Sequence, residues 1–253
     1  MPGLTLLNAT PIADCATCPH RDTTLAAGRC LPGDICLIAH SGRQIERFMR
    51  RNPEYAEACL TDAFWERRAI AVRYAPSAAI RALAKDPDEA VRRAVATRLK
   101  DADLLGMMRD SDREVRITVA ARLAPDKLHL MQSDPDYMVR LQVAHRMPHG
   151  SLPRMAHDPD REVRKEVARR LPAFALGRMA GDEDAEVRRI AAARMLPEDA
   201  VAMLADADWL VRLEAARLAP VEALSALVDD PEPEVRAEVG RRLDGNCPTK
   251  DES

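Results

Sequence analysis

Four cysteines near the start of the chain, Cys15, Cys18, Cys30 and Cys36, are the residues most able to do chemistry, and they follow the spacing C-x2-C-x11-C-x5-C. Thiolates are the shared ligands of zinc and of iron–sulfur clusters. Pro19, Gly28, Pro32 and Gly33 supply the bends that let four sulfurs converge. The Cys15–Cys18 pair has a common metal-ligand spacing, whereas Cys30–Cys36 is wider than the second pair of a usual zinc knuckle. A cluster spreads its cysteines over several irons, so it tolerates uneven spacing better than one tetrahedral ion. A [4Fe-4S] cluster is therefore the first reading of Cys15, Cys18, Cys30 and Cys36 and zinc the second, with free thiols or a disulfide still open. His20 and His40 are candidate substitute ligands but read more simply as surface residues. Cys18-Pro19-His20 is not the haem-attachment sequence, because proline intervenes. Cys59 falls in a helical pattern and reads as a small buried hydrophobe; Cys247, in a polar tail, reads as unpaired.

The start of the chain has neither a basic segment nor a long apolar run, so no signal peptide is expected. No stretch approaches the roughly 20 apolar residues of a membrane helix. The expected location is the reducing cytoplasm, where cysteines serve as metal ligands or free thiols more often than as disulfides.

The elements that must carry this block are set by a repeat. Val-Arg pairs recur every 24 residues, at Val91-Arg92, Val115-Arg116, Val139-Arg140, Val163-Arg164, Val187-Arg188, Val211-Arg212 and Val235-Arg236. A fixed period of this length marks a stacked array. In the unit Asp158 to Gly181, Val163, Val167 and Leu171 lie at i, i+4 and i+8, one apolar face of an α-helix. Asp158-Pro159 reads as an N-cap with proline at the first helical position, and Pro172 ends the helix. Leu176 and Met179 then fit a short turn of 3₁₀ type. No alternating β-branched run occurs, so no sheet is expected. One unit cannot bury enough apolar surface to order itself, and its neighbours must cover the second face.

Arginine fills place seven of every unit, with an acid four residues before it: Asp88–Arg92, Asp112–Arg116, Asp136–Arg140, Asp160–Arg164, Asp184–Arg188, Asp208–Arg212 and Glu232–Arg236. That order supports a helix. A second column, Arg98, Arg122, Arg146, Arg170, Arg194 and Arg242, precedes the buried Leu or Met; Leu218 interrupts it, and Arg217 suggests a one-residue slip. One reading makes these columns a ligand-binding stripe. The preferred one makes them a ladder that binds carboxylates and helix C-termini of adjacent turns.

Upstream, Arg67, Arg68, Ala69, Ile70, Ala71, Arg73 and Tyr74 align with Arg92, Arg93, Ala94, Val95, Ala96, Arg98 and Leu99 at an offset of 25, a worn repeat over residues 61–85. Residues 42–60 read as one or two helices broken at Asn52-Pro53. The expected organisation is a cysteine-rich domain with capping helices at 1–60 and a solenoid at 61–253, made of the worn repeat and seven 24-residue repeats at 86–253. The final unit ends in polar residues that close the stack.

With 47% hydrophobic and 31% charged residues the composition is that of a globular chain. Only 3% are aromatic, which leaves no base-stacking platform. The formal charge of −3 argues against a general polyanion binder. There is no P-loop, G-x-G-x-x-G, H-E-x-x-H or G-x-S-x-G, and His129, His145, His149 and His157 share no ligand spacing. No enzyme active site is therefore expected.

The unit D-P-D-x-x-V-R-x-x-V-A-x-R-L, as in Asp158 to Leu171, behind a four-cysteine block, resembles the leucine-rich repeat variant proteins with an N-terminal [4Fe-4S] domain. The resemblance spans nearly the whole chain. It implies an all-α fold of alternating α- and 3₁₀-helices in a right-handed superhelix, and Cys15, Cys18, Cys30 and Cys36 as cluster ligands. It also implies nitrogen-fixing bacteria as the setting, near nitrogenase genes. The expected function is a scaffold that binds another protein through the superhelix, with the cluster domain as its cap. A redox sensor or electron-transfer accessory is the first alternative and a HEAT-like nucleic-acid binder the second. Nucleic acid and membrane are not expected partners.

Overall fold

The computed structural model describes residues 12–245. They fall into two compact units that divide between Leu123 and Ala124. Among the described residues there is no strand, only an isolated antiparallel bridge between Leu31 and Ile35.

In the first unit the cysteine segment is a series of turns, with one helical turn at Arg21–Leu25. Gly28 (φ +67°) and Gly33 (φ +80°) take left-handed conformations that L side chains rarely adopt. The helix Gly42–Arg51 follows and buries Ile45, Phe48 and Met49. Asn52 ends it, and 3₁₀ turns at Pro53–Tyr55 and Ala58–Thr61 lead into the array. The expected boundary at 60/61 falls inside the second turn. The array then alternates α with 3₁₀: Trp65–Val72, then Arg81–Lys85; Glu89–Ala96, then Leu105–Met107; then Arg113–Arg122.

The second unit continues the alternation. Its longer α-helices are Tyr137–Arg146, Arg161–Arg170, Ala185–Ala192, Trp209–Leu218 and Pro233–Gly245, with a single α-turn at Pro197–Ala200. Its 3₁₀ segments are Pro125–Met131, Leu152–Met155, Ala173–Met179, Val201–Ala205 and Val221–Leu227. The pattern read from one unit holds: Val163, Val167, Leu171, Leu176 and Met179 are all buried. This is an all-helical repeat solenoid of alternating α- and 3₁₀-helices.

The cap assignment needs correction. The helix of the Asp158 unit is capped by Asp160, whose carboxylate accepts the Glu162 N–H, and it begins at Arg161. Asp88, Asp112, Asp136, Asp184 and Asp208 cap in the same way. Asp158 instead accepts the Asp160 N–H at 2.9 Å and closes the turn before the helix. Proline fits there because it sits in that turn, outside the helix.

The partners of the first arginine column also differ from the in-register acids four residues back, which are the caps. Arg140 donates Nε and Nη2 to Asp158, 18 residues ahead, at 2.8 and 3.0 Å. Arg68, Arg92, Arg164, Arg188 and Arg212 bind Asp86, Asp110, Asp182, Asp206 and Asp230 in the same bidentate way. The Nη1 of each also donates to two carbonyls of its own turn; for Arg140 these are Asp134 and Pro135. One guanidinium thus holds two successive turns, a geometry lysine cannot copy. The second column caps the preceding helix: Arg98 donates to the Val72 and Ala75 carbonyls at 2.6 Å each, and Arg194 to those of Ala168 and Leu171. Both columns form the ladder expected from sequence.

The ladder also corrects the register of the worn repeat. Arg68, not Arg67, holds Asp86 and the Asp62 and Ala63 carbonyls, and the Phe64 N–H donates to Asp62. The offset is therefore 24, with Asp62 in place one and Arg68 in place seven. Arg67 then stands in place six, where the other units carry a buried valine.

Candidate metal centre

The four predicted cysteines lie in the first unit, on turns rather than on helices. Cys36 is buried and Cys15, Cys18 and Cys30 are half-buried. The Cys30 thiol is pushed up to about 11 by burial, and further by Cys36, Cys15 and Cys18. Cys30 thus sits where burial and the other three cysteines disfavour its thiolate, a cost that a cationic centre among them would offset. Among the described residues no three or more His, Cys, Asp or Glu side chains converge closely enough to hold one metal ion. A donor set of four thiols, partly buried, suits a multi-iron centre that receives each cysteine on its own iron.

The helix Gly42–Arg51 and the worn repeat position the block. The Cys36 N–H donates to the Gln44 carbonyl at 3.3 Å. Cys36 Sγ accepts the Ala39 N–H at 3.4 Å, and the Cys30 thiol donates to the Ile35 carbonyl at 3.2 Å. Arg47 pairs with Asp34, and Arg29 with Glu54. Neither histidine joins the sulfurs in a ligand group. His20 packs edge-on against Tyr55 with ring centroids 5.3 Å apart, and His40 stacks on Phe64 at 4.8 Å. Cys59 is buried, as expected of a small hydrophobe, and burial raises its thiol pKa. Cys247 lies outside the described residues.

Sequence reasoning missed two buried polar residues that grip this block. Asn52, fully buried, donates Nδ2 to the Arg29 carbonyl at 3.1 Å and to that of Phe48 at 3.0 Å. Arg67, 8% exposed, donates Nε to the Leu37 carbonyl at 2.9 Å, reaches the Ile38 carbonyl at 3.5 Å, and binds Asp62 at 2.6 Å. The 24-residue register was the signal for Arg67: at that offset it is a charge in a valine place.

Elsewhere in the first unit, a surface groove of ≈ 430 Å³ is lined by residues that include Gly42, Trp65, Ala69, Ala90, Arg93 and Ala94. It is an open depression with no convergent set of buried polar groups. Among the described residues, no helix is long and apolar enough to cross a membrane.

Comparison with known proteins decides the family. A family model described as the FeS4 cluster of leucine-rich repeat variant proteins matches residues 11–67, and the leucine-rich repeat variant model matches residues 137–160 and 161–184. A solved structure described as a leucine-rich repeat variant with a novel repetitive structural motif is 53% identical. The match covers 92% of this chain and 100% of that one, with a TM-score of 0.87. The chain belongs to the leucine-rich repeat variant proteins. It is an LRV repeat protein with an FeS4-cluster domain, and that domain implies a [4Fe-4S] cofactor. A Rhodobacter capsulatus protein, described as an uncharacterized 27.7 kDa protein in the nifB 3′ region, is 40% identical over 89 residues. That match spans 35% of this chain and 36% of the relative, so the chain spans about a third of the length of the curated relative it matches.

Proposed function

We propose that this LRV protein is a non-enzymatic, cluster-capped scaffold in the reducing cytoplasm. Cys15, Cys18, Cys30 and Cys36 hold the [4Fe-4S] cluster, and the solenoid binds another protein. The observation that carries this reading is the division of labour among side chains. The arginine columns are engaged inside the ladder, while large apolar groups at variable places stay open, among them Phe174 at 76% exposure, Leu130, Tyr137 and Met138. Exposed aromatic and methionine side chains are typical of protein-binding surfaces. When bound, the cluster supplies one-electron redox capacity and ties four points of a turn-rich segment together.

Engagement of Arg92 and Arg140 by Asp110 and Asp158 weighs against nucleic-acid binding through the arginine columns, because those guanidinium groups are already held by carboxylates. The nifB-region relative supports a setting in nitrogen fixation. The test is tagged capture from nitrogen-fixing cells of the source, comparing the native chain with the double variant Phe174→Ala/Tyr137→Ala. We expect one protein retained by the native chain and lost by the variant, with helical content unchanged in both. Equal retention by both would remove these two side chains from the reading, and steep salt-dependent binding to duplex DNA would replace the reading with the nucleic-acid one.

A further inference from the structure

The segment from Cys30 to Cys36 carries two of the four thiols, and its backbone is gripped just outside each end. Before Cys30, the Arg29 carbonyl accepts the Asn52 Nδ2 hydrogen bond at 3.1 Å. After Cys36, the Leu37 carbonyl accepts Arg67 Nε at 2.9 Å, with Ile38 next to it. Both gripping side chains are buried, and both come from outside the cysteine segment. Asn52 ends the helix Gly42–Arg51; Arg67 lies in the first turn of the array.

The identity of Arg67 is the telling feature. Val91, Val115, Val139, Val163, Val187, Val211 and Val235 occupy the same place in the other units, each fully buried. A charge in a valine place is costly unless its hydrogen bonds are satisfied. Here they are satisfied by two carbonyls of the cysteine segment and by Asp62, and the Phe64 ring lies 5.6 Å from the guanidinium carbon. Burial is the largest single influence on the Asp62 carboxyl and pushes it up, but the hydrogen bonds from Arg67 and the Phe64 N–H, with the charges of Arg67 and Arg68, together hold it below the usual range. Arg67 is thus a core position of the repeat given over to holding the cysteine block.

We infer that Asn52 and Arg67 are positioning residues for the cluster: a two-point clamp that fixes the Cys30–Cys36 segment at the spacing the cluster needs and joins it to the first turn of the solenoid. The inference rests on the ligand assignment above. Buried partners that orient metal ligands govern affinity for the metal without touching it.

The decisive variant is Arg67→Val, which restores the residue the repeat itself uses at this place, so the array keeps its packing while the clamp opens. The full chain is reconstituted anaerobically with ferrous iron and sulfide, and cluster loss to an iron chelator is followed by visible absorption. Loss should be about tenfold faster or more in Arg67→Val and in Asn52→Ala, and intermediate in Arg67→Lys. In the iron-free chain, amide exchange of residues 30–38 should quicken in both variants, while exchange in the helix Arg161–Arg170 stays as in the native chain. Native rates of cluster loss and exchange in Arg67→Val would overturn the clamp. Should that variant not fold, Asn52→Ala decides from the other end, and native behaviour there overturns it equally. A native chain that takes up no iron would refute the ligand assignment, leaving the exchange measurement alone to decide the clamp.

Discussion

At the scale of single residues, the difference between buried and exposed ion pairs is the most testable feature. Arg140 and Asp158 are each 8% exposed and bonded twice, whereas Arg217 and Glu214 pair on the surface. Removing one partner of a buried pair strands the other, so Arg140→Ala should lower the unfolding free energy by about 3 kcal/mol. Arg217→Ala should change it by less than about 1 kcal/mol. Urea titration of both variants checks the contrast, and equal effects would contradict the ladder. The acid limb follows other pairs of the ladder. Hydrogen bonds from Arg212 hold the Asp230 carboxyl below its usual range against burial, and Asp86, Asp110 and Asp206 are also depressed, in their case with burial the largest opposing influence. A depressed folded-state pKa means stability that is fully present above the unfolded pKa, near about 4, and is lost as pH falls through the folded value. Stability should therefore be flat with respect to these groups between neutrality and about pH 5, then decline. Asp230→Asn should be less stable at neutral pH and show a shallower acid decline; an acid limb as steep as the native one would count against the assignment. The cysteine-rich FeS4 domain was legible in sequence because cysteine types and spacings stand out. Asn52 was not, since an asparagine before proline looks ordinary until the chain is folded around it, and Arg67 was missed because the worn repeat was read one residue out of register.

At the scale of elements, the alternation of α- and 3₁₀-helices was readable because buried valines and leucines mark both periods. The hydrogen-bonding roles of the aspartates were not. Spacing along one helix pairs Asp136 with Arg140 at i,i+4, but the folded turn makes Asp136 a cap and sends the guanidinium to Asp158 in the following turn. A linear pattern cannot show which of two nearby carboxylates a long side chain will reach. The same cause misplaced the worn repeat by one residue, because Arg67 and Arg68 are equivalent as letters and opposite in direction. The second column offers a test at this scale. Leu218 takes the place at which Arg194 and Arg242 cap a preceding helix, so the helix Ala185–Ala192 lacks that guanidinium. Leu218→Arg should supply it and add about 0.5–1.5 kcal/mol. The thermal midpoint should then rise by about 2–4 °C per kcal/mol for a chain of this size. A fall in the midpoint would show that the ladder tolerates no further charge there.

At the scale of the molecule, the repeats form a frame in which stacking valines, capping aspartates and bridging arginines all serve the array itself. The part whose chemistry differs is the turn-rich cysteine block, joined to the first repeat by a valine place that has become Arg67. The proposal therefore stands or falls on what those four thiols hold. Iron and acid-labile sulfide should be measured in the full chain purified without oxygen, beside its Cys15→Ala and Cys30→Ala variants, together with the visible absorption of each. We expect about four irons and four sulfides per native chain with a broad brown absorption, as a [4Fe-4S] centre requires, and loss of both in either variant. A colourless native chain containing zinc, or a cysteine variant that retains its full iron, would contradict it.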